Sequence, residues 1–172
     1  VKKLEIWLNK IQSKYCVAWG VHIDKKFENL DLFNRFDLIG CRSKKSIYQY
    51  VPCASCLHPI FEKYKNVTGS GEVRISHFKR MIPKSVSINL NPIEKNVHLI
   101  ANSKKVITTS YHIWYWAKLL NKDVEIYDDE NFDKPLTEKM YTLPKEINYS
   151  TAKKLNISFA KQVLKLLKND SI

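Results

Sequence analysis

A chain of 172 residues with 44% hydrophobic and 27% charged side chains has the size and composition of one globular domain, or of one domain and part of another. Its 29 basic and 17 acidic residues leave a net charge of +12, and its apolar content excludes a disordered chain. Four Gly and six Pro exclude collagen-like and linker-dominated architectures, and no apolar run approaches the ~20 residues that cross a bilayer.

The positive charge is lysine, with 25 Lys against 4 Arg. Together with 17 Ile and 13 Asn this is the bias of an AT-rich coding sequence, and four arginines are a thin supply for bidentate reading of guanines. Residues 123–133 carry six acids and no base, while residues 1–122 carry a net +13. Such a surface attracts a phosphorylated or carboxylated ligand, an anionic membrane face, or nucleic acid without sequence preference. No charged and then apolar leader precedes a small-residue cleavage site, so a cytoplasmic location is expected, with peripheral contact at the inner membrane face as a further use of the lysines.

The cysteines are Cys16, Cys41, Cys53 and Cys56. Cys53-Ala-Ser-Cys56 followed by His58 has the spacing of half a zinc site, but no second pair of that spacing exists. Reduced, partly buried thiols without metal are the expectation, and no cofactor is implied.

In chain order, residues 1–15 place Leu4, Trp7, Leu8 and Ile11 on one helical stripe. CVAWGVHI and FDLIGCRS are short apolar runs with the character of buried parallel strands. NVTGSGE, at 66–72, holds two of the four glycines and is the expected subdomain boundary. EVRISHF and KSVSINL alternate as strands. Asn91-Pro92-Ile93-Glu94 predicts a helix start, with Asn91 as N-cap and Pro92 at the first helical position. KVITTS predicts a strand, residues 110–121 a helix, and DVEIY another strand. The segment 128–149 is loop-rich, and Ser150 opens a last amphipathic helix with Ala152, Leu155, Phe159, Val163 and Leu166 on its apolar stripe. Alternating strands and helices predict an α/β fold, a Rossmann-like parallel sheet with helices on both faces. Ligands of such sheets bind beyond the carboxyl ends of the strands.

The junction Thr109-Ser110-Tyr111-His112 is the sharpest chemical feature. A β-branched strand ends there and a helix begins at once, so free N–H groups and the helix dipole favour an anion. Ser110 is a natural N-cap, and His112 falls in the first turn, where an imidazole can act as acid or base. His77, Lys79 and Arg80 close the strand that follows the glycine loop, and Lys134 follows DVEIY. Trp114 and Tyr115 can stack on a sugar or base, with core packing as their other use.

The segment VITTSYHIWYWAKLLNKDVEIY, with CVAWGVHI and FDLIGCRSKKSIYQYVPC upstream, resembles the polysaccharide pyruvyl transferase family over roughly residues 15–135. The resemblance implies a GT-B-like enzyme whose two Rossmann-like halves face a cleft. Residues 1–66 then correspond to the end of the N-terminal half, and 67–172 to the C-terminal, donor-binding half with its terminal amphipathic helix. It implies transfer of a pyruvyl or glycosyl group from phosphoenolpyruvate or a nucleotide sugar to a glycan acceptor of a cell-surface polysaccharide. His112 would be catalytic, and Arg42, Thr109, Ser110, Lys134 and His77 would bind the donor. Two positions depart from the family pattern: Ser110 stands where the family has arginine, and Arg42-Ser43 where it has Arg-Asp. Both remove groups suited to a pyruvyl donor. The competing expectations are a lysine-rich nucleic-acid-associated protein, which lacks a recognition helix or aromatic platform here, and an inactive remnant of the transferase fold.

Overall fold

A computed structural model of the chain describes residues 2–127 and 147–168. The fold is α/β; among the described residues it has two sheets, and every strand pairing in both is parallel. The chain divides into two compact units, one from Val1–Cys53 and Leu155–Ile172, the other from Ala54–Lys154.

The first unit opens with α1 (Lys2–Leu8), shorter than the stripe to Ile11 predicts. A residue distant in sequence meets its end. The Arg35 guanidinium donates to the Leu8 carbonyl at 2.8 Å and to Asn9 Oδ1 at 2.6 Å, satisfying the helix end from outside. The strands β1 (Val17–Val21), β2 (Leu38–Cys41) and β3 (Gln49–Tyr50) lie side by side in that order. The β1–β2 register slips between Ala18 and Val21, where Gly20 takes φ 62°, so one extra residue is absorbed at a glycine that tolerates it. Gly40 of β2 is a position of close approach. A Cβ there would meet Val51 at 2.8 Å and the Phe159 ring at 3.2 Å.

The second unit contains α2 (Ile60–Tyr64), β4 (Glu72–Ser76), β5 (Val86–Ser87), α3 (Ile93–Ala101), β6 (Lys105–Thr108), α4 (Tyr111–Leu119) and β7 (Asp123–Ile126). Its strand order is β5-β4-β6-β7. Its apolar core includes Phe61, Ile75, Val97, Ile100, Val106, Ile113 and Leu119, all fully buried. The last helix, α5 (Tyr149–Lys168), begins in this unit, and the division between units falls within it.

Two local expectations are corrected. KSVSINL contributes only two strand residues and then turns through a 3-10 segment at Ile88–Leu90. Asn91 does not cap α3. Pro92 holds the N-cap position in extended conformation, and the buried Asn96 amide reaches back to the carbonyls of Ile88, Asn91 and Pro92 at 3.2–3.3 Å. One side chain on the second turn thus ties the helix to the segment before it. The glycine loop lies inside the second compact unit, which runs from Ala54 to Lys154. A Cβ on Gly69 would lie 2.3 Å from the Ser103 carbonyl, and the Gly71 carbonyl accepts from the amides of Lys104 and Lys105 at 3.0 and 3.1 Å. Gly69 thus permits a backbone-to-backbone contact inside the unit that a side chain would block, while Gly71 takes φ 69°, a conformation that favours glycine.

No helix among the described residues is long and apolar enough to cross a membrane.

Candidate functional site at the strand ends of the second unit

Strand order decides where a ligand fits. From β4 the chain crosses to β5 on one side, and from β6 it proceeds through α4 to β7 on the other. The direction of winding therefore reverses between β4 and β6, and open α/β sheets bind ligands outside the carboxyl ends of the strands at such a point. The residues that follow those two strand ends are His77 and Thr109–Ser110.

Hydrogen bonds join the two ends. The Thr108 hydroxyl donates to the Ile75 carbonyl at 2.6 Å and accepts from the Ser110 amide at 2.9 Å. The Thr109 hydroxyl accepts from the His77 amide at 3.0 Å and donates to the Arg80 carbonyl at 2.7 Å. Between them, residues 77–80 form a tight turn, with the Arg80 amide on the His77 carbonyl at 2.8 Å. The chemistry of the β-branched hydroxyls is thereby spent on holding the turn. Thr109 is 1% exposed, so its side chain braces the site rather than presenting itself to a ligand.

His77 is half-buried, and its Nδ1 accepts the Lys79 amide at 3.3 Å. In the neutral ring the proton then sits on Nε2. Burial, aided by the charges of Lys79 and Arg80, pushes its pKa below the ordinary histidine value. The ring is held neutral beside two cations, an arrangement that donates a hydrogen bond without adding charge.

Ser110 occupies the N-cap position of α4 in extended conformation, as its place in the sequence predicts, but its hydroxyl makes no capping bond and the residue is 5% exposed. No acid lies in the first turn of α4, where the positive end of the helix dipole favours an anion. His112 is exposed on that turn, 5.2 Å from the Tyr111 ring and 5.8 Å from the Trp116 ring between centroids. Trp114 and Tyr115 are 7% and 1% exposed and belong to the core, which removes them as stacking platforms. The Trp116 indole donates to the Ser55 hydroxyl at 2.9 Å.

Arg42 follows the end of β2 in the first unit, its amide on the Val21 carbonyl at 2.9 Å. Lys134 lies outside the described residues. Cys16, Cys41, Cys53 and Cys56 are free thiols. Among the described residues no group of three or more His, Cys, Asp or Glu side chains is placed to hold a metal.

Two features escape sequence reading. The first unit holds an open, mainly apolar cavity of about 520 Å³, with Trp7, Trp19, Phe27, Phe33 and Phe36 in its lining and His22 Nε2 3.0 Å from Asp24 Oδ1 at its wall. Only the His-x-Asp spacing after a strand hints at this pair. The second is Lys122, a lysine 8% exposed, which a count of surface lysines hides.

Compared with protein families, curated proteins and solved structures, the chain matches none.

Proposed function

We propose that the second unit binds the phosphorylated donor of a pyruvyl- or glycosyltransferase acting on a cell-surface polysaccharide, as the sequence resemblance implies. The observation that carries this reading is the convergence at the β4/β6 switch point. A neutral imidazole, the basic pair Lys79 and Arg80, and the acid-free first turn of α4 follow the ends of two adjacent strands. A phosphate or carboxylate is the ligand that such groups favour together. In this reading the α4 entrance and His77 receive the anionic part of the donor, phosphoenolpyruvate or a nucleotide sugar. His112, exposed on the first turn, serves as the general acid or base toward the glycan acceptor. Ser110 in place of an arginine weakens a carboxylate clamp, which favours the nucleotide sugar of the two donors. A cytoplasmic location fits a donor of that kind.

Titrating the full chain with phosphoenolpyruvate and, separately, a nucleoside-diphosphate sugar tests the reading by amide chemical shifts. Saturable shifts at His77 and residues 109–113 are expected. Shifts confined to other regions, or a steep loss of all binding with salt, would favour the lysine-rich nucleic-acid reading instead. His112→Ala should leave folding within about 0.5 kcal/mol of the parent, as for an exposed site, while abolishing transfer. Arg42→Lys probes the first unit separately, since lysine keeps the charge and loses the planar fork.

A further inference from the structure

The opposite, amino-terminal edge of the same sheet carries a different arrangement. There the loop before β4, the turn before β6 and the turn between α4 and β7 line an open pocket of about 280 Å³. That is room for a phosphate group and part of its carrier, several times the ~30 Å³ share of a single water.

The helix end sets the key side chain. Asn121 takes the left-handed conformation at φ 55°, its amide bonds to the Lys118 carbonyl at 3.1 Å, and the Lys122 amide bonds to the Ala117 carbonyl at 2.9 Å. This is a Schellman ending of α4. The Lys122 side chain is left 8% exposed, with Nζ donating to the Val67 carbonyl at 2.7 Å. Among the described residues it has no carboxylate partner, although an ammonium without one is costly to bury. Its pKa is lowered, and burial is the cause. Nζ has three hydrogens and Val67 takes one. Lys104 lines the same pocket from an exposed position, no acid among the described residues lines it, and the remaining lysine there, Lys65, is paired with Glu62.

We propose that this pocket binds the phosphoryl group of a small soluble metabolite, with Lys122 and Lys104 as its charged donors and Thr68 and Asn121 at its rim. The site is independent of the donor reading, because the strands are parallel and the two places lie at their opposite ends. An anion here would compensate the Lys122 charge and secure the turn that leads into β7.

Inorganic phosphate and pyrophosphate, titrated into the full chain against chloride at constant ionic strength, test this by amide shifts. Saturable shifts at Thr68, Gly69, Lys104, Asn121 and Lys122 are expected, with the Lys122 ammonium titrating at higher pH when phosphate is bound. Lys122→Met, which keeps the stem and removes the charge, should weaken binding at least tenfold. Lys104→Glu, at an exposed position that leaves the fold intact, should abolish it. Lys161→Gln, on the exposed face of α5, should leave it unchanged. Unsaturable shifts spread over the surface lysines, or parent affinity in both Lys122→Met and Lys104→Glu, would overturn the site. Phosphatidylcholine vesicles carrying phosphatidic acid should leave these amides unmoved. A response to those vesicles without one to free phosphate would overturn the assignment to a soluble ligand.

Discussion

The Asn156 amide oxygen, on α5, accepts the Trp19 indole N–H at 2.6 Å, a contact between residues 137 positions apart. The same side chain donates to the Pro52 carbonyl at 3.2 Å, and Asn156 is fully buried. Phe159, one turn further, meets the Trp19 ring edge-on at 5.2 Å between centroids. Helix α5 is thus fixed in the first unit by an amide that serves two partners, with an aromatic contact beside it.

Asn156→Ala is expected to destabilise the protein by about 2 kcal/mol, because it leaves an indole N–H and a carbonyl without their partner. Asn156→Leu should not restore the loss, since added apolar surface does not satisfy either group. Urea unfolding followed by tryptophan fluorescence measures both.

The apolar periodicity of α5 was legible in the sequence, and it marks Ala152 and Phe159 correctly as buried. It does not reveal that Asn156 is buried as deeply, because the reason lies in strands far upstream. The same division runs through the fold. Strands such as β6 (Lys105–Thr108) and the stripe of α4 declare themselves through local composition, and with them the parallel α/β architecture. The contact of Arg35 with the end of α1 and the burial of Thr109 depend on partners that no local window contains. At the candidate site, residue types and order were readable around Thr109–His112. The convergence with His77 followed only from strand order, and the brace role of Thr109 only from its hydrogen bonds.

Thr109→Val should cost about 2 kcal/mol, since the His77 amide and the Arg80 carbonyl both lose their partner. Thr109→Ser keeps the hydroxyl and should cost less than half as much. Hydrogen exchange at the His77 and Arg80 amides separates loosening of this turn from general instability, being faster in the valine variant alone.

Glu62 predicts a specific acid response. Its carboxylate pairs with the Lys65 ammonium, accepts from the Tyr149 hydroxyl at 2.8 Å and from Lys153 Nζ at 3.2 Å, and its pKa is held down to about 2. An unfolded chain has a glutamate near ~4.3. A depressed folded value means that the group stabilises the protein fully above the unfolded pKa and loses that contribution as pH falls from there toward 2. Carbon-detected titration of the Glu62 side chain should give a midpoint well below the other glutamates. Tyr149→Phe should raise it, and Glu62→Gln should flatten the pH dependence of stability in that window.

Asn121 offers a gain. At φ 55° a glycine avoids the Cβ penalty, so Asn121→Gly should stabilise the protein by about 0.5 kcal/mol. Asn121→Ala, with a Cβ and no polar side chain to help the left-handed conformation, should cost about 1 kcal/mol. Equilibrium denaturation of the pair gives the sign directly.

The construction of the first unit from Val1–Cys53 and Leu155–Ile172 bears on how the chain folds as it is made. Residues emerging from a ribosome reach Gly40 and Val51 long before Phe159, the ring that packs over them. The second unit is contiguous, Ala54–Lys154, and can close its own sheet while the first still waits for the rest of α5. The nascent chain therefore passes through a stage in which Trp19 and β2 lack their covering helix. Sequence-distant closure of that kind is slow, and apolar surface left waiting is what chaperones bind and aggregates recruit.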